Sequence, residues 1–373
     1  MGEYRGVELS DTELDGERLH LRRWRAEDAP RVQALMQDPT MHRFLALPHP
    51  YTADDAARFV GEFGHEGRDT GAGLGCAAVE RATGRVVGAC ALRLPGDPEI
   101  GYWVAADAQG HGYAAEMTRT LATWGFSIGL RRIRLACDVR NLASARTALA
   151  AGFRFEGVAR EGLTSGDRRP ERRADLARFA RLSDDPDQRV PYAFPPLTEE
   201  LTDGVVGLRP LRPEDAVGVA ETDDEVSAGW SFTGARRSTD EATRVAATAG
   251  LDWLVSRIAR FAMVDRASGS FGGTLDLRQP GPPQVGGIGY GVHPAFRGRG
   301  YTVRALRLLA PWAFDVADYA RLELGAKVDN LASIRSAAAA GFEPDGVRRA
   351  RLRNPDGTFS DEPPFALINA RYA

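Results

Sequence analysis

The chain repeats itself at long range. Gly101-Tyr102-Trp103-Val104 returns 188 positions later as Gly289-Tyr290-Gly291-Val292, and Gly110-His111-Gly112-Tyr113 returns as Gly298-Arg299-Gly300-Tyr301. Further on, Asn141-Leu142-Ala143-Ser144 returns as Asn330-Leu331-Ala332-Ser333, and Ala151-Gly152-Phe153 as Ala340-Gly341-Phe342, now 189 positions apart. One inserted residue explains the difference. The beginnings match too, since Leu21-Arg22, Arg25 and Glu27-Asp28-Ala29 parallel Leu208-Arg209, Arg212 and Glu214-Asp215-Ala216. Solenoid repeats have periods of roughly 20 to 50 residues, so a period this long means duplicated domains. A chain of 373 residues is also too long for one comfortable core. The expected division is a first domain over 1–183, a Pro/Asp-rich linker over 184–199, and a second domain over 200–373. Asp184-Asp185-Pro186-Asp187 with Pro191, Pro195 and Pro196 reads as a semi-extended linker.

Within each unit the pattern reads strand, helices, three-strand meander, helix, strand, helix and final hairpin. In the first copy, 18–24 alternates as a strand and 27–37 has helical spacing. The meander falls over 76–80, 86–94 and 100–104, with Ala82-Thr83-Gly84-Arg85 as its first turn. A helix over 114–128, a strand over 133–139 and a helix over 143–151, stopped by Gly152, complete the unit. The fold class is α+β, with mixed strand directions.

Gln109-Gly110-His111-Gly112-Tyr113-Ala114 follows a strand and opens a helix, as does Arg297-Gly298-Arg299-Gly300-Tyr301-Thr302. Glycines let backbone N–H groups crowd around an anion, and a helix start adds roughly half a positive charge. A pyrophosphate fits such a loop. In the second copy Arg297 and Arg299 are expected to add charge-assisted hydrogen bonds and make the stronger anion site. Neither loop fits the dinucleotide fingerprint, because each comes late, after an antiparallel-looking meander. Anion binding must be local, since the formal charge of -3 and pI near 6.1 argue against a general nucleic-acid binder. With 47 arginines and a single lysine, Lys327, the chain has no phosphate-loop lysine. Cys76, Cys90 and Cys137 read as buried, reduced thiols rather than metal ligands, and no metal is expected. No stretch has the length of a signal peptide or a membrane helix, so a cytoplasmic protein without a membrane partner is expected.

The strand Ile-Gly-Tyr-Trp-Val, the loop Gln109/Arg297-x-x-Gly-x-Ala/Thr, the Asn-x-x-Ser and the Ala-Gly-Phe together resemble the GCN5-related N-acetyltransferases, the GNAT superfamily. The resemblance covers both halves nearly end to end. Within the superfamily it looks most like the branch that acetylates ribosomal-protein N-termini, whose members often begin with a Leu-x-Leu-Arg strand and a Glu-Asp-Ala helix start. It implies two tandem domains, each a mixed, centrally splayed sheet flanked by helices. It implies acetyl-CoA as donor, up to one per half, with the diphosphate on the amides of Gln109, Gly110, His111, Gly112, Tyr113 and Ala114, and of Arg297, Gly298, Arg299, Gly300, Tyr301 and Thr302. The pantetheine arm would pair alongside Tyr102, Trp103 and Val104, and alongside Gly291 and Val292. Asn141 and Asn330 match the family's cofactor-contacting asparagine, and Ser144 and Ser333 match a serine that can face the thioester sulfur.

Acyl transfer to an amine needs the neutral amine, whose ordinary pKa near 10 demands a proton acceptor. Glu99 is the first candidate base, and Glu161 lies close to where this branch carries a second carboxylate. The second copy has Gly287 and Ala350 there, and Asp276 is its nearest substitute. The tyrosine acid of other branches is replaced by Ala148 and Ala337, which leaves Ser144, Ser333 or water to protonate the thiolate. Ser144 and Ser333 read equally as helix-start caps, Glu99 as a solvated strand residue, and the arginine-rich 168–173 as a solvated hairpin or a lure for an acidic acceptor. The first half keeps the better base candidates. The expected activity is acetyl-CoA-dependent N-acetylation of an α-amine on a peptide, protein or peptide-like natural product, by direct attack, with either one half or both catalytic. The alternatives are a small amine such as an aminoglycoside, or a non-catalytic acyl-CoA-binding regulator. Monomer and homodimer both stay open.

Overall fold

The computed structural model describes residues 9–45, 47–164, 173–231, 235–354 and 356–372. The chain separates into two compact units, Met1–Pro191 and Tyr192–Ala373. The expected linker is thus divided near its middle, and its flanks are held. Val190 N–H donates to the Leu149 carbonyl at 2.9 Å, while Ala193 N–H donates to the Leu254 carbonyl at 2.8 Å and Phe194 is buried.

The first unit runs β1 (Leu14–Asp15), β2 (Leu19–Arg22), α1 (Ala29–Met36), α2 (Ala53–Arg58), α3 (Gly64–Asp69), β3 (Gly73–Glu80), β4 (Val86–Arg93), β5 (Glu99–Val104), α4 (Tyr113–Ser127), β6 (Arg132–Asp138), α5 (Leu142–Ala150), β7 (Arg154–Thr164) and β8 (Arg173–Leu182). Its eight strands order as β1-β2-β3-β4-β5-β6-β8-β7, antiparallel except for the parallel pair β5–β6. That pair holds only at Glu99↔Arg134 and Ile100↔Leu135, beyond which the strands part. The sheet is therefore splayed from Gly101 onward.

The second unit runs β9 (Leu201–Thr202), β10 (Val206–Pro210), α6 (Ala216–Thr222), α7 (Glu225–Trp230), α8 (Thr239–Val255), β11 (Ile258–Asp265), β12 (Phe271–Arg278), β13 (Val285–Val292), α9 (Tyr301–Asp315), β14 (Arg321–Gly325), α10 (Leu331–Ala339), β15 (Glu343–Pro344), β16 (Arg348–Arg353), β17 (Phe359–Glu362) and β18 (Pro364–Ile368). Its main sheet has the same order, β9-β10-β11-β12-β13-β14-β18-β15. The parallel pair β13–β14 ends at Gly287↔Glu323, and the same opening follows.

Several sequence identities between the units have a mechanical reason. Arg22, the last residue of β2, and Arg209, the last but one of β10, grip the aspartate that starts the next helix, Asp28 at 2.8 and 2.9 Å and Asp215 at 2.7 Å for both bonds. Each aspartate also accepts a backbone N–H, from Arg25 at 2.9 Å and Arg212 at 2.8 Å. The single inserted residue falls in the helix-to-strand turn, 128–131 in one unit and 316–320 in the other. Gly129 takes positive φ in the shorter turn and Asp318 in the longer.

The final hairpin is the main departure from the expected layout. In the first unit it is one long pair, β7–β8. In the second it breaks, with β15 and β18 joining the main sheet and β16 and β17 forming a separate ribbon. Pro344 stands where Phe155 does, and Pro363-Pro364 interrupt the returning strand; proline removes ladder donors. The hairpins share a bulge where Glu161 and Ala350 take φ of 49° and 48° and donate N–H to Asp175 and Asp361 at 2.9 and 2.8 Å, and the first has another between Phe155 and Gly157.

Cys76, Cys90 and Cys137 are free and buried, with Cys76 and Cys90 opposite each other on β3 and β4. Among the described residues no helix is long and apolar enough to cross a membrane, and no group of three His, Cys, Asp or Glu gathers to hold a metal ion.

Candidate functional site

The two loops have the same backbone. Gly110 and Gly112 take φ of 81° and 80°, Gly298 and Gly300 take 73° and 75°, and the second glycine of each is the N-cap of a 15-residue helix. Left-handed φ at both positions is what glycine supplies at no steric cost. The first intrahelical-type bonds are Glu116 N–H to Gly112 O and Arg304 N–H to Gly300 O, both 3.2 Å. The amides of Tyr113, Ala114 and Ala115, and of Tyr301, Thr302 and Val303, precede those bonds and are the donors a helix start offers to an anion. The side chains of Tyr113 and Tyr301 point into the unit, each hydroxyl donating to a carboxylate at the end of the first meander strand, Glu80 and Asp265. They tether the helix start rather than line the loop.

The residue that opens each loop reaches back to the splayed strand. Gln109 Nε2 donates to the Val104 carbonyl at 3.4 Å, and Arg297 Nε to the Val292 carbonyl at 3.2 Å. The cation expected to strengthen the second loop is already engaged. The Arg297 guanidinium is taken by Asp224, with Nη1 and Nη2 at 2.7 and 2.8 Å, and this hydrogen-bonded partner holds the Asp224 carboxyl well below the usual carboxylate range. Arg299 lies over the Phe296 ring, 5.3 Å from its centroid. His111 stacks on Tyr113, and its ring nitrogen Nδ1 lies 2.9 Å from the Gln109 carbonyl.

Across the splay, the strand and the second helix meet through hydroxyls. Tyr102 Oη is 2.8 Å from Ser144 Oγ, and Tyr290 Oη is 2.7 Å from Ser333 Oγ. Burial pushes the Tyr102 phenol up to about 12 and raises that of Tyr290. Neither serine caps its helix. That work falls to Asn141 and Asn330, whose Oδ1 accepts the serine N–H at 3.1 Å in both copies. Cys137 sits beside Ser144 with its thiol pushed up to about 11 by burial.

The carboxylates are more dispersed than the sequence implied. Glu99, level with the start of β6, is ion-paired with Arg93 and, at 3.4 Å, with Arg134. Glu161 stands on the hairpin bulge beside Asp175, whose carbonyl accepts Val139 N–H just past the end of β6. These two carboxylates lie at opposite ends of one strand and are not brought together. Asp276, opposite Gly289, is paired with Arg278 at 2.9 Å. Of the arginine-rich 168–173, residues 168–172 lie outside the described residues.

Alternate residues of the splayed strand face the other helices. In the first unit Trp103 packs into a core with Trp24, Val32 and Met36, its ring 6.4 Å from that of Trp24 and 6.4 Å from that of Phe59. Glu99 and Gly101 share that face. In the second unit Gly287, Gly289 and Gly291 leave it as bare backbone, and Thr222 approaches so closely that a Cβ on Gly291 would lie 2.9 Å from its methyl. Three residues of the second unit escaped the sequence reading. Asp223 is raised by burial, Asp224 holds Arg297, and Lys327 donates its Nζ to the Gly229 carbonyl at 3.1 Å. The signals were there as Asp224-x-x-Ser227, a helix cap pattern, and as the uniqueness of Lys327.

Comparison with known proteins agrees with this architecture. A family model for the acetyltransferase (GNAT) domain matches residues 18–154 and again 206–343. An uncharacterised N-acetyltransferase, p20, of Bacillus licheniformis is 27% identical over 154 residues, 39% of this chain and 84% of that protein. A putative ribosomal N-acetyltransferase, YdaF, of Bacillus subtilis (strain 168) is 38% identical over 66 residues, 17% of this chain and 36% of that protein. Among solved structures, Mycobacterium smegmatis RimJ in complex with CoA-disulfide covers 49% of this chain and 91% of its own, with 24% identity and a TM-score of 0.43. With the domain matched in both units, the chain belongs to the acetyltransferase (GNAT) family and is an N-acetyltransferase carrying that domain twice.

Proposed function

We propose that the protein transfers the acetyl group of acetyl-CoA to the α-amine of a peptide, a protein or a peptide-like natural product. The observation that carries this reading is the paired construction of a glycine-hinged helix start beside a splayed strand, present in both units. The diphosphate of the cofactor sits on the helix-start amides, and the pantetheine arm runs along the strand edge left unpaired beyond Ile100 or Gly287. Its thioester reaches the Tyr–Ser hydroxyl pair. Either phenol, kept protonated by its burial, passes a proton through the serine hydroxyl to the leaving thiolate, and takes one back from solvent. No covalent enzyme intermediate is needed. The acceptor approaches from the face bearing Glu99 and Gly101, or Asp276 and Gly289, and gives its proton to Glu99 or Asp276 directly or through water. Resemblance of both units to the ribosomal-protein branch supports an α-amine acceptor, and the name of the Bacillus subtilis relative points the same way. The protein acts in the cytoplasm, as a monomer or homodimer.

The test is thiol release from acetyl-CoA with three sets of amines: peptides with free N-termini, the same peptides blocked, and aminoglycosides. Release with free peptides alone is expected. Release with aminoglycosides alone would move the acceptor to small amines, and none with any amine would leave a binding protein.

A further inference from the structure

In the C-terminal unit the short helix α7 is strapped at both ends by cations that belong to the two diverging strands. At its start Asp224 is the N-cap, accepting Ser227 N–H at 2.9 Å, while its two carboxylate oxygens take both Nη atoms of Arg297. Arg297 is also the first residue of the glycine loop beyond β13, and its Nε holds the Val292 carbonyl at that strand's end. At the far end of α7, Lys327 Nζ donates to the Gly229 carbonyl at 3.1 Å and reaches that of Ser231 at 3.5 Å. Lys327 lies just past β14, the strand on the other side of the opening. The helix is therefore tied to both arms of the splay. The N-terminal unit has neither strap, because Gln109 and Asp138 stand where Arg297 and Lys327 do, and Asp138 pairs locally with Arg140 at 2.6 Å.

Arg297 cannot give its full bidentate fork to two anions at once. Resting on the reading of residues 297–302 as a diphosphate loop, we infer that Asp224 occupies Arg297 in the cofactor's stead. The diphosphate of CoA and the N-cap of α7 compete for one guanidinium, and seating the cofactor releases α7, which is bonded through Ser227 to Thr222 at the bare Gly289 and Gly291 face where the acceptor approaches. Asp224 is thus a positioning residue that links donor binding to the acceptor cleft. The exchange is favourable because a diphosphate carries more charge than a carboxylate, and the ion pair is partly exposed, with 32% and 28% side-chain exposure, so it yields readily.

The experiment uses the full chain with the N-terminal loop disabled by Gly112→Val. CoA and pantetheine, which lacks the diphosphate, are titrated calorimetrically into this parent and into its Asp224→Asn variant. Asparagine caps helices as well as aspartate, so the variant removes the charge and keeps the cap. Asp224→Asn is expected to tighten CoA by about 3- to 10-fold, in line with freeing one partly exposed bidentate pair, and to leave pantetheine unchanged. Adding Arg297→Gln is expected to abolish the gain. Amide hydrogen exchange over 225–231 is expected to speed up when CoA is added to the parent, and to be fast from the start in Asp224→Asn. CoA binding that is unchanged or weaker in Asp224→Asn, or tightened equally for pantetheine, overturns the competition while leaving the loop reading intact. A parent that binds no CoA at its C-terminal unit overturns both.

Discussion

The two units hold the same helix tip with opposite charges. In the N-terminal unit Glu116, in the first turn of α4, accepts the backbone N–H of Arg18 at 2.6 Å and of Leu19 at 2.9 Å, and the Arg18 guanidinium at 2.9 Å. In the C-terminal unit Arg304 takes that position and pairs with Asp203 at 2.6 Å. Both arrangements pin the first hairpin to the helix, so the clamp survives while its polarity does not. Other features are the same in both copies: two left-handed glycines, a buried tyrosine on a carboxylate, an asparagine cap, a phenol on a serine hydroxyl, and the arginine–aspartate pair at the first helix. Duplication lets each copy drift wherever a mirrored solution exists.

That contrast can be broken or sharpened in several ways, the strongest at the loops. Replacing Gly300 or Gly112 by valine puts a β-branched residue at a φ of 75° or 80°. Acetyl-CoA affinity in the altered unit is expected to fall by about 100-fold or more, since the strain and the lost amide array together exceed ~2.7 kcal/mol. Calorimetry should then show one site remaining, and two intact sites would end the parallel between the units. Next comes the hydroxyl pair. Tyr102→Phe and Tyr290→Phe, made separately, are expected to lower kcat by about 10- to 100-fold in whichever unit turns over, with KM little changed. The variant that leaves steady-state thiol release untouched identifies the silent unit.

A third comparison concerns the bare strand face. Gly291→Trp, which installs the residue of the N-terminal copy, drives a side chain against the Thr222 methyl and is expected to cost about 2 kcal/mol, read from the denaturant midpoint. A neutral outcome would show that α6 can retreat. The smallest expected effect is with acid. Burial works against the Asp28 carboxylate, but the hydrogen bonds from Arg22 and the Arg25 amide outweigh it and leave its pKa lowered. A depressed carboxyl stabilises fully above its unfolded pKa near 4, and the contribution disappears as pH falls through the folded value. Asp28→Asn should therefore cost about 1 kcal/mol or more at pH 7, and the gap from the parent should narrow as the pH falls below about 4.

How much of this was legible depended on range along the chain. Periodicity and turns located β4, β5, α4, β6 and α5 to within a residue or two of 86–94, 100–104, 114–128, 133–139 and 143–151. The glycine loops were legible because φ requirements are local, and Asn141 because a cap and its N3 residue are three apart. The Arg297 tie to Asp224 spans 73 positions and leaves no local trace. Its consequence is a second loop with one cation already engaged. The ion pairs of Glu99 were hidden for the same reason, although Arg93 lies only six residues away, because the turn between β4 and β5 had to close first. Pro344 and Pro363 were in plain view, yet which strand they would break depended on the partner, not on the prolines.

Lys327 has one more consequence. An enzyme that handles an activated acyl thioester risks decorating itself, and the side chains at risk are primary amines. Guanidinium groups remain protonated and do not accept acyl groups at neutral pH. With 47 of its 48 cationic residues arginine, the chain has a single ε-ammonium, and that one is only 8% exposed with its protons on backbone carbonyls. Among its side chains the surface thus carries its positive charge in a form that an acyl thioester does not modify.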